Sequence, residues 1–171
     1  NSYLLIDEKI AVLDTVGQGF GEQWLSNIEK ATGEKDVDYL VVHHMEPDHS
    51  ANIDAFMEKY KNVCFDITPG PGMFDNFDKN PEEWRKFFIK YSDRILVGTD
   101  ATFPWCAKDF SWCIDKLYRF IATDEKFMAF GDRYLTGLCL TGKDKENILW
   151  RNFENRVGRS KPKEINKEKL L

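Results

Sequence analysis

Histidine is the residue type whose scarcity constrains this chain most. Its 171 residues include three histidines, His43, His44 and His49, and none follows in the rest of the sequence. Imidazole is a common ligand of zinc and iron in proteins. Any metal site built on this part of the chain must therefore complete its coordination shell without another imidazole.

Other absences narrow the class of protein. No apolar run approaches the ~18 residues of a membrane span, and no signal peptide is visible. The net charge of −5 argues against a general nucleic-acid binder, which needs a basic surface. The four cysteines form no Cys-x-x-Cys pair, which favours buried thiols in a reducing compartment. The sequence therefore predicts a cytoplasmic protein with no nucleic-acid or membrane partner.

What is present is enough apolar sequence for a packed core. Hydrophobic residues make up 42% and aromatic residues 14% of the chain, which supports a globular fold. Strand and helix patterns alternate, beginning with two strands at 2–6 and 9–16, a helix that ends at Gly33 and a buried strand at 37–43. We predict an α/β fold with a mixed sheet, an N-terminal β-hairpin, later parallel βα units and flanking helices.

The densest Pro/Gly segment, residues 68–72, marks an internal boundary. A helix is expected to begin at Pro81 with Asn80 as its cap, and further helices are expected near 110–121 and 144–157. The predicted organisation is residues 1–67 and residues 68–171, packed together as a single α/β domain.

A cluster of ligand-type side chains directly follows the predicted strand at 37–43. The residues His44, Glu46, Asp48 and His49 fall within six positions. Imidazole and carboxylate groups together suit iron, zinc or manganese, and a carboxylate can act as a base toward a metal-bound water. The alternative is a solvated acidic loop with incidental histidines. Four such residues in six positions favour the interpretation that this cluster derives from a metal site.

The segments 1–6, 10–16 and 41–53 closely resemble the start of flavodiiron proteins. The resemblance implies a metallo-β-lactamase-type domain with a di-iron centre, a flavodoxin-type domain that binds FMN, and reduction of oxygen or nitric oxide. It implies that His44 and Glu46 serve one iron and Asp48 the other, while the role of His49 stays open. The likeness covers about residues 1–66.

The family also needs two further histidines and a bridging aspartate downstream. Because no histidine follows His49, a complete di-iron site cannot form within one chain of this sequence. No phosphate loop of the flavodoxin type follows either, so we expect no FMN site.

Residues 70–171 show a different likeness, to the C-terminal end of another family's barrel. Residues 80–84 and 93–100 resemble the last helix and strand of amidohydrolase-superfamily TIM barrels. In that family the aspartate after the eighth strand binds metal and acts as the general base, and Asp100 stands at the matching position. The alternative for Asp100 is a strand-end carboxylate that caps the next turn.

These observations predict a recombined or engineered α/β protein, an apparent chimera. It would carry a partial, vestigial metal site for iron or zinc, with ligands His44, Glu46, Asp48, His49 and Asp100. The alternative is a metal-dependent hydrolase or a flavodiiron-like oxidoreductase, completed by another chain, with Asp48 and Asp100 as the catalytic groups. The many aromatic residues also leave self-association open.

Overall fold

The structure is a computed structural model that describes residues 1–33, 35–43, 46–67, 71–99 and 111–157. For Pro47, Pro71, Gly72 and Val157 the backbone alone is described. The chain divides into two compact units, Asn1–Ile67 and Thr68–Leu171. Each unit is described by itself below.

The first unit is built on a three-stranded sheet. Strands β1 (Tyr3–Ile6) and β2 (Ile10–Leu13) form an antiparallel hairpin. Strand β3 (Tyr39–Val41) then pairs with β2 in parallel. Helix α1 (Gly21–Thr32) connects β2 to β3, as a parallel connection requires a long crossover. The predicted α/β fold, with its N-terminal hairpin and mixed sheet, is confirmed.

Helix α1 follows directly from its apolar spacing. Trp24, Ile28 and Thr32 recur every fourth residue and are the buried positions of the helix. Gly33 takes a left-handed φ of 63° and its N–H bonds to the carbonyl of Glu29, which ends the helix. The helix that the sequence predicts to end at Gly33 is therefore confirmed.

Strand β3 differs from its prediction. It is shorter than the predicted strand at 37–43, and Tyr39 and Val41 are exposed rather than buried. Among the described residues of the first unit, β3 pairs only with β2. An apolar strand therefore does not prove burial on both faces, because an edge strand can carry the same sequence.

The segment after β3 is also more ordered than a loop. It contains a short helix, α2 (Pro47–Ser50). The Ser50 hydroxyl donates to the Glu46 carbonyl at 2.9 Å, which closes α2. Asn52 occupies the N-cap position of helix α3 (Ile53–Lys59). The unit ends with strand β4 (Phe65–Ile67).

The second unit is mainly helical. Its elements are α4 (Pro71–Lys79), α5 (Pro81–Lys90), β5 (Ile95–Val97), α6 (Ser111–Ala122), β6 (Lys126–Phe130), β7 (Arg133–Thr136), α7 (Gly142–Glu146), a π-helical turn (Asn147–Arg151) and α8 (Asn152–Val157). None of the helices in the described part of the chain is long and apolar enough to cross a membrane.

Aromatic rings form the centre of the second unit. Phe77 stacks on Phe120 with 4.9 Å between ring centroids. Phe88 meets both rings edge-on, at 6.2 and 5.6 Å. All three side chains are buried. Aromatic pairs at such distances add to the stabilisation from burial alone, so these rings anchor α4, α5 and α6 on one another.

Two elements of the second unit were missed by the sequence reasoning. Helix α4 begins at Pro71, inside the segment that was interpreted as a Pro/Gly boundary, because proline suits the first turn of a helix. The antiparallel hairpin of β6 and β7 was not predicted either. The last predicted helix, 144–157, begins two residues earlier and contains the π-helical turn.

Candidate functional site

The site begins with Asp14, the residue that follows β2. Strands β2 and β3 are parallel, so their carboxyl ends meet at the same edge of the sheet. The Asp14 N–H donates to the Val41 carbonyl at 2.8 Å, which ties the two strand ends together. Asp14 has a φ of 59°, in the left-handed region that aspartate tolerates better than most residues. The chain turns here and buries the carboxylate.

The Asp14 carboxylate contacts two histidines. Its Oδ1 accepts a hydrogen bond from the backbone N–H of His43 at 2.9 Å. Its Oδ2 lies 2.9 Å from the Nδ1 of His43 and 2.9 Å from the Nδ1 of His49. The carbonyl of His49 accepts a hydrogen bond from the N–H of Thr15 at 2.8 Å, which holds α2 against the end of β2. One buried carboxylate therefore faces both rings.

These contacts decide the charge of Asp14. Burial by itself would raise the pKa of this carboxyl group. The hydrogen bond from the His43 backbone and the contacts with the rings of His49 and His43 outweigh burial and lower the pKa from 3.8 to about 2. Asp14 is therefore a carboxylate at any physiological pH.

Two of the predicted ligands lie side by side. The Nε2 of His49 is 3.3 Å from Oδ2 of Asp48. The Asp48 carboxylate is largely exposed, whereas the His49 ring is mostly covered. Glu46 is exposed, and its carbonyl accepts the backbone N–H groups of His49 and Ser50 at 2.9 and 3.0 Å. The turn thus presents Asp48 and His49 together at the end of β3.

The described residues do not complete a metal site. Across the described ranges, no group of three or more histidine, cysteine, aspartate or glutamate side chains is arranged to hold a metal ion. The other two predicted ligands, His44 and Asp100, lie outside the described residues. An imidazole beside a carboxylate suits iron or zinc by donor type, but two donors do not complete the coordination shell of either metal. The ligand assignment of all five residues stays a prediction.

Asp14 and His43 are the site residues that sequence reasoning missed. Asp14 lies 29 positions before His43, and the two are brought together only by the parallel pairing of β2 with β3. A signal was present: each of two successive apolar strands is followed closely by a polar, ligand-type side chain. Strand-end side chains of parallel neighbours are expected to lie close together.

The chain is similar to proteins named anaerobic nitric oxide reductase flavorubredoxin. Over 137 residues it is 42% identical to that of Aliivibrio fischeri, 41% to that of Aliivibrio salmonicida and 27% to that of Vibrio vulnificus. Each match covers 78% of this chain but 28% of the relative, so the chain spans just over a quarter of their length. No protein-family model matches the chain.

The matched stretch corrects the extent of the first resemblance. A match over 78% of the chain is longer than either compact unit, so it includes residues of both. The similarity to the flavorubredoxins therefore continues beyond residues 1–66, the extent predicted for the first resemblance. The amidohydrolase likeness of residues 70–171 has no counterpart among these relatives.

Proposed function

We propose that this chain is part of a flavodiiron-type oxidoreductase and that residues 44–49 contribute ligands to its iron. The cluster around Asp14 and the similarity to the flavorubredoxins support the proposal from independent directions. The names of those relatives suggest nitric oxide as the substrate of the whole protein.

The observation that carries the proposal is the position of Asp14 behind the His49 ring. A histidine that binds metal through one ring nitrogen usually makes a hydrogen bond to a carboxylate or carbonyl through the other. The Nδ1 of His49 faces Asp14 at 2.9 Å, and its Nε2 is directed toward Asp48 at 3.3 Å. The Nε2 of His49 and the Oδ2 of Asp48 therefore lie next to each other, in an arrangement that allows one cation to bind both.

By itself the chain would bind iron without turnover, because the described residues supply two adjacent donors and the sequence offers no histidine after His49. When iron is bound, it would supply the site for reduction of the substrate. Five points of the sequence analysis stay predictions. They are the recombined origin, the amidohydrolase role of Asp100, the use of zinc, the hydrolase alternative and the lack of an FMN site. A completing chain or further sequence is required for the whole reaction.

The test is an anaerobic titration of the purified chain with ferrous iron, read out by competition with a chromophoric chelator. We expect one weakly bound iron per chain. Asp48→Asn and His49→Ala should each weaken binding at least tenfold. Asp14→Asn should weaken it by about tenfold without removing a ligand, because the His49 ring loses its orienting carboxylate.

The matched control is Asp36→Asn, since Asp36 is an exposed carboxylate of the same unit. It should leave the affinity within about twofold. Absence of iron binding by the wild-type chain, or equal losses in Asp36→Asn and Asp48→Asn, would overturn the proposal. Consumption of nitric oxide by the iron-loaded chain alone would contradict the expectation that this chain binds iron without turnover. Metal-dependent hydrolysis of a panel of esters would favour the hydrolase alternative.

A further inference from the structure

His43 contacts both oxygens of the Asp14 carboxylate. Its backbone N–H donates to Oδ1 at 2.9 Å, and the Nδ1 of its ring lies 2.9 Å from Oδ2. The terminal torsion of an aspartate side chain has a broad range, so a single hydrogen bond would let the carboxylate plane turn. Two contacts from one residue, one to each oxygen, therefore fix that plane.

The backbone of Asp14 is held independently of the His43 ring. The Asp14 N–H donates to the Val41 carbonyl at 2.8 Å, and the Ser2 hydroxyl donates to the Asp14 carbonyl at 2.9 Å. The His43 side chain is 57% exposed, so its removal takes little from the core. The ring contact therefore acts on the direction of the Asp14 side chain rather than on the path of the chain.

The oxygen that faces the His43 ring also faces the ring of His49. Oδ2 of Asp14 lies 2.9 Å from the Nδ1 of His49. A carboxylate oxygen carries two lone pairs, so Oδ2 can accept from both rings. Because an aspartate carboxylate at neutral pH accepts but does not donate, the hydrogen in each contact belongs to the imidazole nitrogen. The Asp14 carboxylate thus favours the Nδ1–H form of His49.

The tautomer of His49 decides which of its nitrogens can bind a cation. A neutral imidazole binds metal through the nitrogen that carries no hydrogen, and the hydrogen bond at the other nitrogen selects that tautomer. With the hydrogen on Nδ1, the lone pair is on Nε2, which lies 3.3 Å from Oδ2 of Asp48. The contacts of His43 therefore act, through Asp14, on the nitrogen that faces Asp48.

We propose that His43 is a positioning residue of the candidate iron site. Its two contacts turn the Asp14 carboxylate toward His49, which keeps the lone pair of His49 on Nε2, beside Asp48. His43 acts through Asp14 and is not a ligand itself. The inference rests on the proposed function, because it takes Asp48 and His49 as iron ligands.

The expected effect on iron binding is smaller than that of Asp14→Asn. Loss of a group that orients a metal-bound histidine typically weakens metal binding by roughly 10- to 100-fold. A substitution of His43 removes the ring contact alone, because the backbone N–H still donates to Oδ1 of Asp14. We therefore expect His43→Leu to weaken the binding of ferrous iron by about threefold to fivefold in the chelator competition.

His43→Asn is the matched rescue variant. The amide nitrogen of asparagine is bonded to Cγ, as the imidazole Nδ1 is, so it places an N–H donor at the same position, whereas leucine has none. Iron affinity in His43→Asn should stay within about twofold of wild type. In the Asp14→Asn background, His43→Leu should cause no further loss, because its effect passes through the Asp14 carboxylate. Circular dichroism verifies that each variant is folded.

The tautomer of His49 gives a readout that needs no iron. Long-range proton–nitrogen NMR spectra of the metal-free chain with isotopically labelled histidine distinguish the two neutral tautomers at about pH 9, where free imidazole is neutral. The chain has three histidines, and the signals that His49→Ala removes belong to His49. We expect the Nδ1–H form of His49 in wild type and in His43→Asn, and a mixture of both forms in His43→Leu.

An Nε2–H form of His49 in the wild-type chain would overturn the inference, and so would an unchanged tautomer in His43→Leu. Equal losses of iron affinity from His43→Leu in the wild-type and Asp14→Asn backgrounds would also overturn it, since His43 would then act without Asp14. If the wild-type chain binds no iron but the tautomers change as expected, the proposed function is overturned and the positioning of His49 by His43 is supported.

Discussion

The two units use their polar and aromatic residues in opposite ways. The first unit buries one carboxylate, Asp14, beside two imidazoles, while apolar side chains of its sheet are exposed, namely Tyr3, Leu5, Tyr39 and Val41. The second unit packs its rings inside and uses carboxylates to hold secondary-structure elements together. Asp78 of α4, for example, accepts hydrogen bonds from Thr136 of β7 and Lys126 of β6 at 2.7 and 3.2 Å.

Within the described residues, the candidate metal ligands therefore lie in the first unit, whereas polar contacts in the second unit stabilise its fold. Every histidine of the chain precedes the second unit, so any imidazole ligand comes from the first unit. Among the described residues of the second unit, several polar side chains hold the backbone or neighbouring elements in place. Asn152, which is buried, donates from Nδ2 to the carbonyls of Ser92 and Ile95, both at 2.7 Å. We expect substitutions in the second unit to affect folding more than binding.

The largest expected effect on stability is that of Gly137→Ala. A Cβ at Gly137 would lie 2.1 Å from the Thr123 carbonyl oxygen and 2.8 Å from that of Arg119, both backbone atoms at the end of α6. Backbone cannot yield as a side-chain end can, so the substitution should cost about 3 kcal/mol. Guanidinium denaturation followed by tryptophan fluorescence measures the loss, since four of the five tryptophans belong to the second unit.

Gly17→Ala is the matched control, because nothing lies within 4 Å of a Cβ at Gly17. Its free energy of unfolding should stay within about 0.5 kcal/mol of wild type. If the two substitutions cost the same, the close packing around Gly137 does not stabilise the second unit as described.

A smaller loss is expected from Asn152→Ala. The substitution leaves the carbonyls of Ser92 and Ile95 buried without their shared donor, and it should cost about 2 kcal/mol. Asn155→Ala, on the same helix α8 but exposed, should cost under about 0.5 kcal/mol. Thermal unfolding of the two variants gives the comparison. Equal melting temperatures would show that water replaces the Asn152 amide at no cost.

Local sequence was sufficient to predict much of the fold. The hairpin of β1 and β2 and the helices α1 and α5 were predicted because their signals are local. Gly33 ends α1 in a left-handed conformation, and Pro81 follows the capping position Asn80 at the start of α5. Helix α4 was missed because proline and glycine at 69–72 indicate a turn as readily as a helix start.

Features that depend on long-range pairing could not be predicted. The exposure of Tyr39 and Val41 depends on tertiary packing around β3, and an apolar strand sequence is the same whether the strand is buried or exposed. Asp14 became a site residue only through the register of β2 against β3. The cluster His44–His49 predicted ligand chemistry, but a run of residues cannot show which of its side chains converge.

Asp78→Asn gives the smallest expected effect and a pH signature. Burial by itself would raise the pKa of Asp78, but hydrogen bonds from Thr136 and Lys126 outweigh it and lower the pKa below the ordinary 3.8. The unfolded chain therefore binds a proton more readily, so the stabilisation is complete above about pH 4 and is lost as the pH falls through the lowered value. At pH 6 the variant should be about 1 kcal/mol less stable.

Urea denaturation at pH 6, 4 and 2.5 measures this gap between wild type and Asp78→Asn. The gap should shrink at the lowest pH, because both proteins then carry a neutral group at position 78. Asp132→Asn, an exposed carboxylate in the turn between β6 and β7, should show a gap near zero at every pH. A gap for Asp78→Asn that is the same at all three pH values would mean that the variant disturbs packing. The charge of the Asp78 carboxylate would then not hold the β6–β7 hairpin to α4. The contrast between Asp78, as a carboxylate that stabilises the fold, and Asp14, as a carboxylate of the candidate site, would be lost.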